Sequence, residues 1–330
     1  MSAAELTPDA PRRPFSGRRV RFGDLSLQVV AGAAAAAATV LVGLITWKVI
    51  EGAWPSILHY GFRFVWHIAW NPVLGREIYG AGSFLFGTAV TSLFALALAT
   101  PLALGIALFL TELAPRVVRG PVTALVETLA AIPSVVIGLW GILVLGPLLR
   151  DHVEPALHSA LGFIPLFGEP GAGASIFTAI VVLTIMILPI VSSICRELFL
   201  GVPHELKEGA LALGTTRWEM VRGVVFPYAR GGIAAALILG LGRAVGEAIA
   251  VTQVIGGGVF IHWNLFGTGD TLASKIASVY QGASTNLEVA SLVYLALILL
   301  VFSLIANLTA QLIVRRVARR MGGATGTGLG

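Results

Sequence analysis

The chain has 330 residues, 56% hydrophobic and only 12% charged, with a formal net charge of +5; its mean hydropathy is +0.88. A soluble domain carries about 25% charged residues, so this sequence cannot cover a water-facing surface of ordinary polarity, and lipid must be the solvent for much of it. The positive charge does not point to nucleic acid, because the basic residues sit in short segments between apolar runs; the single cysteine, Cys195, excludes an internal disulfide and any CxxC metal spacing.

Residues 1–24 are rich in Arg and Pro and contain no apolar core, so they are expected as a cytoplasmic basic tail and not as a cleavable signal. Six apolar stretches follow, at about 25–47, 82–110, 128–149, 174–195, 231–259 and 289–314. Each reaches the roughly 20 residues a helix needs to cross a bilayer, and none alternates with the period of a barrel strand. The expectation is an all-α polytopic membrane protein with six transmembrane helices, its permease-like body over 25–316. Residues 51–80 carry Trp54, Tyr60, Trp66, Trp70 and Tyr79 and read as an interfacial aromatic belt with an amphipathic helix on the membrane. Residues 150–173, with Pro155, Pro165 and Pro170, read as an irregular outer loop. Asp270-Thr271 is expected to cap a short outer helix ending near Tyr280. His152, His158 and His262 are not at metal-ligand spacing, and residues 317–330 read as a flexible cytoplasmic tail.

Orientation follows from Lys and Arg. With the N-terminus inside, the inner segments hold 16 of the 22 basic residues and the outer segments hold five, Arg243 lying within the fifth stretch. Both termini are therefore expected in the cytoplasm.

The longest inner loop, 203–227, carries Glu208-Gly-Ala210, then Gly214, then Val224-Val-Phe226-Pro227. Pro203 and Glu205 suit a helix start, Leu206, Ala210 and Leu213 share one face, and Gly214 can end the helix. A second short helix is expected from near Thr216 to before Pro227. The segment resembles the EAA loop of ABC importer permeases: Glu-Ala-Ala, three residues, Gly, nine residues, Ile-x-Leu-Pro. Gly209, Val224 and Phe226 are the departures, and all keep size class or apolarity. The resemblance implies the type I ABC importer permease fold, with Glu208, Ala210 and Gly214 in the loop that docks on a cytoplasmic ATPase.

Further stretches are similar to the PstC family of phosphate-specific importer permeases: Gly87-Thr88, Thr100-Pro101-Leu-Ala-Leu-Gly105, Thr111-Glu112-Leu-Ala-Pro115, Glu127 through Pro133-Ser134 to Trp140-Gly141, and Gly240-Leu-Gly-Arg243-Ala-Val-Gly246-Glu247 on to Thr252. This likeness runs from about residue 80 to 316. It implies a phosphate permease in a bacterial plasma membrane, with a second PstA-like permease, a PstB-like ATPase dimer and a PstS-like extracytoplasmic phosphate-binding protein as partners.

Independently, Arg243 and Glu247 stand one helical turn apart in an apolar segment, so they share a face. Intramembrane charges normally face a cavity or the bundle interior, and glycines 240, 242 and 246 permit close helix approach. Pro101, Pro133 and Pro189 are expected to interrupt their spans, and the helix start at Ser134 could offer N–H groups to an anion. Arg243, Glu247, Ser134 and Glu127 are thus the candidate path residues. A purely structural ion pair competes for Arg243–Glu247, and simple interface placement accounts equally for Glu127. Another oxyanion (sulfate, molybdate, phosphonate) is the alternative cargo. A secondary transporter would need coupling-ion sites and often shows inverted repeats, neither of which is evident. No GxSxG, HExxH or phosphate-binding GxxxxGK[ST] occurs, so the chain is not expected to be an enzyme or to hold a cofactor or metal. ATP hydrolysis falls to a partner.

Overall fold

A computed structural model describes residues 22–322; most of the basic tail expected over 1–24 and residues 323–330 of the expected C-terminal tail lie outside the described residues. Every regular element is a helix, and two isolated bridges, Asn71 with Ile78 and Gly256 with Gly269, are the only extended pairings among the described residues. The chain divides into two units, residues 1–48 and 49–330. The first contributes the start of α1 (Phe22–Tyr60), including the alanine run 33–38. Alanine is the strongest helix former, and among the described residues of this unit α1 is the single element.

The second unit contains the end of α1, then α2 (Arg63–Trp66), α3 (Gly82–Leu113), α4 (Arg116–Ala131), α5 (Ser134–Leu161), α6 (Ile176–Leu200), α7 (His204–Ala212), α8 (Arg217–Gly246), α9 (Ile249–Val254), α10 (Leu272–Val279) and α11 (Asn286–Gly322). Six helices, α1, α3, α5, α6, α8 and α11, are long and apolar enough to cross a membrane. The chain is a multi-pass membrane protein. The helix at the C-terminal end continues to Gly322, past the expected limit at 316.

The core forms around α6. Two-thirds (67%) of its most apolar window is buried, against 28% for α3, α8 and α11. On α3, Ala95, Ala99, Ala103 and Ala107 recur every fourth residue and are all fully buried. Small side chains at that spacing let two helix backbones approach, and α6 packs along α3, with the Thr184 hydroxyl reaching the Ala95 carbonyl at 3.4 Å. Four π-helical turns, Phe109–Leu113, Gly141–Leu145, Leu149–Val153 and Val221–Val225, lie within α3, α5 and α8 among the described residues.

Several expected boundaries move. The third span starts at Ser134, because Ile132 and Pro133 are extended (ψ 127° and 139°); a residue before proline is pushed out of the helical region. Residues 116–131, including Glu127, form a separate helix. Pro101 and Pro189, by contrast, sit inside continuous helices. The second short helix expected before Pro227 does not end there: the π turn at 221–225 precedes the proline, and α8 runs unbroken from Arg217 to Gly246. The aromatic segment also differs. Residues 51–60 continue α1, and Tyr79 is fully buried beside Trp70 and Tyr60 instead of lying at an interface.

Successive spans alternate in direction, so the turn after α3 at 114–115 and segment 201–216 lie at one end of the bundle, where Lys207 and Arg217 meet Glu112, and segments 162–175 and 255–285 lie at the other. The latter pair is stitched together: Leu265 N–H donates to the Leu166 carbonyl at 3.0 Å, Gly168 N–H to Asn264 Oδ1 at 3.1 Å, and Phe177 N–H to the Leu265 carbonyl at 2.8 Å. At that end Thr271 caps α10 through a reciprocal box with Ser274, as expected. Asp270 accepts from Thr271 N–H at 3.0 Å and from the Ser274 hydroxyl. Burial raises its carboxyl above the ordinary range, and burial lowers the Lys275 ammonium, which lies 5.3 Å from the Trp70 ring centre.

Candidate translocation path and coupling loop

The fifth span breaks where the charges are. Glu247 leaves helical geometry at ψ 119°, ending α8 at Gly246. Its Oε2 pairs with Arg243 Nη2 at 3.2 Å, and its Oε1 accepts from Ala250 N–H at 3.3 Å. A carboxylate here does two jobs: it balances the guanidinium and satisfies an orphan donor in the first turn of α9. The Glu247 side chain is 6% exposed and Arg243 46%. The carboxylate is therefore committed, while part of the five-donor guanidinium fork remains open.

Ser134, half-buried, is the first residue of α5. A Cβ added at Gly138 would meet the Ala250 Cα at 2.8 Å, and one at Gly141 would meet Val254 Cγ1 at 2.8 Å. This register makes α5 and α9 parallel, and one turn back it sets Ser134 level with Glu247. Two helix starts thus stand side by side, and Glu247 ties Arg243 to that of α9. Glu127 is not brought to them. It pairs with Arg196 Nη2 at 3.8 Å, at the end of the bundle where α6 finishes. There Arg119, Thr123, Glu127 and Arg196 border a cavity of about 340 Å³.

In the loop 203–227, α7 ends as expected at Gly214, whose φ of +84° is open to glycine and strained for other residues. The Thr215 hydroxyl closes the turn on the Ala210 carbonyl at 2.8 Å, and Thr216 starts α8 with a capping box to Glu219. The face shared by Leu206, Ala210 and Leu213 is not the one the bundle buries. Leu213 is 86% exposed and Leu206 is exposed, whereas Lys207 is buried. The reason is electrostatic: Lys207 Nζ meets Glu112 Oε1 at 2.6 Å and donates to the Phe199 carbonyl at 3.0 Å. Sequence alone gives no reason to single out this pair, since each residue reads as an ordinary loop charge and the two are 95 positions apart. Glu208 and Gly209 face outward, and Ala210 is half-buried.

Residues 99–319 match the binding-protein-dependent transport system inner membrane component family. The chain belongs to that family. Its relatives within the family include the phosphate transport system permease protein PstC of Mesorhizobium japonicum, 41% identical over 92% of this chain and 94% of that one. That of Pasteurella multocida is 42% identical over 80% and 82%, and PstC 2 of Mycobacterium tuberculosis is 39% identical over 88% and 91%. A bacterial alginate ABC transporter chain superposes with TM-score 0.61 at 17% identity, covering 90% of this chain and 98% of that one. A chain of the MetNI methionine ABC transporter gives 0.50 at 20%, covering 70% and 93%. At such identities the structures speak for the fold alone, and that fold is the ABC transporter permease expected for this family.

Proposed function

We propose that this chain is the permease subunit of an ATP-driven importer of inorganic phosphate, in a bacterial plasma membrane with both termini in the cytoplasm. The identity of 39–42% to proteins named PstC over most of their length supports the cargo. The 16-to-5 split of basic residues supports the orientation. The permease body is residues 25–316, and its partners are a second PstA-like permease, a PstB-like ATPase dimer that hydrolyses ATP, and a PstS-like phosphate-binding protein outside. Loop 203–227 docks on the ATPase through the exposed side that carries Glu208, with Ala210 and Gly214 shaping the helix and its stop.

The observation that carries this reading is Arg243. A planar guanidinium matches the oxygens of a tetrahedral anion in a way an ammonium does not. Here one nitrogen is held by Glu247 while the side chain stays 46% exposed. Glu247 keeps the site from binding phosphate too tightly, Ser134 adds a hydroxyl at the same level, and Glu127 with Arg196 stands toward the inner mouth. In proteoliposomes holding the whole complex, Arg243→Gln abolishes labelled-phosphate uptake at normal assembly, and Arg243→Lys impairs it. Glu247→Gln slows release, because its amide oxygen can still accept from Ala250 while the counter-charge is gone. Wild-type uptake by Arg243→Gln would reduce the pair to a structural one.

A further inference from the structure

The helix that meets the ATPase in the proposed function is poorly connected through its own chain. α7 is preceded by Gly201-Val-Pro203 and followed by Gly214 at φ +84°. Both joints are turns, so a push on the exposed side of α7 would pass along the backbone only through bends. The firm connection is lateral. Lys207, near the middle of α7, is 8% exposed, and three contacts converge where it enters the bundle. Its ammonium holds the Glu112 carboxylate at 2.6 Å, in the π turn that finishes α3. The same ammonium donates to the Phe199 carbonyl at 3.0 Å, in the last turn of α6. Arg217, the first residue of α8, donates to the Glu112 carbonyl at 3.4 Å. Arg119 of α4 holds the neighbouring carbonyls of Thr111 and Ala114, each at 3.0 Å.

We propose that Lys207 and Glu112 are positioning residues for transport: their ion pair makes α7 and the ends of α3, α6 and α8 move as one body, so that displacement of α7 by the ATPase reaches three spans together. The proposal rests on the importer reading above. A π turn suits this place, because its looser bonding frees carbonyls that neighbouring side chains can hold. A buried pair adds little net stability over apolar residues of similar size, whereas losing one partner strands a charge. The informative variant therefore removes both charges.

The test uses the complete complex, purified with its own partner subunits and reconstituted in proteoliposomes with the external binding protein. Phosphate taken up and ATP hydrolysed are measured together. For Glu112→Gln/Lys207→Met the expected result is normal co-purification of the ATPase with phosphate moved per ATP lowered about fivefold or more, the scale of a typical coupling energy. Lys207→Arg, which keeps a cation and its donors, is expected near the wild-type ratio. An unchanged ratio in the double variant overturns the proposal, and so does failure of that variant to assemble, since the pair would then be a folding requirement. A low ratio in Lys207→Arg equal to that of the double variant also overturns it. If the wild-type complex itself shows no ATP-driven phosphate uptake, the importer reading falls and the pair's role falls with it; normal wild-type uptake with an unchanged ratio in the double variant removes the pair's role alone.

Discussion

Two glycines on the same helix illustrate how a single missing Cβ positions a loop. Gly87 lies against the Asp270 backbone, where a Cβ would collide with the carbonyl. That approach lets the next residue, Thr88, accept from Leu272 N–H at 3.0 Å and so dock α10 on α3. Gly105, five turns of α3 later, has nothing within 4 Å of a Cβ. Gly87→Ala is expected to cost about 1–3 kcal/mol through overpacking, whereas Gly105→Ala gains up to about 1 kcal/mol of helix propensity. Thermal loss of the monodisperse peak in detergent should come earlier than wild type for the first and no earlier for the second. The reverse order would sink the account. At this scale the sequence speaks unevenly. Arg243 and Glu247 are visible because charge is conspicuous in an apolar run. Their geometry is not: nothing in the spacing says that Glu247 lies past the end of α8 and caps α9. Lys207 and Glu112 are hidden for the opposite reason, because each sits among other charges and gains meaning only through its neighbour in space.

At the scale of elements, the spans were legible from the length of apolar runs, and their ends were not. Run length measures the solvent a segment prefers; a break is decided by backbone and packing. Ile132-Pro133 is extended, and beyond it α5 lies close against α9 at Gly138, whereas Pro101 and Pro189 are absorbed within α3 and α6. Loop 203–227 was legible as a helix with a glycine stop, yet its buried side was not, because the residue that enters the bundle is a lysine whose carboxylate partner is distant in sequence. The stop itself gives a test. At φ +84° Gly214 has open space for a side chain but a backbone conformation that strains one. Gly214→Leu should leave the protein in the membrane while tilting α7 relative to α8, so that much less ATPase co-purifies. A normal yield of ATPase with the variant would remove Gly214 from the docking surface.

At the scale of the whole molecule, orientation is the property that side-chain geometry in one chain does not contain, and the placement of charge supplies it. Leu74 is 79% exposed in the segment before α3, and Leu213 is 86% exposed after α7. The native Cys195 is fully buried, so background labelling is low. With both termini cytoplasmic, Leu74→Cys should react with a membrane-impermeant maleimide in whole cells and Leu213→Cys only in inverted vesicles; the converse pattern would reverse the topology. The π turns carry a consequence for anyone mapping such a bundle by substitution. Each inserts about one residue into a helix of 3.6 residues per turn, a rotation of about 100°. α5 holds two, at Gly141–Leu145 and Leu149–Val153. A scan phased on Ser134 stays in step with the side facing α9 as far as Trp140, and beyond Val153 the same arithmetic lands on nearly the opposite side of the helix.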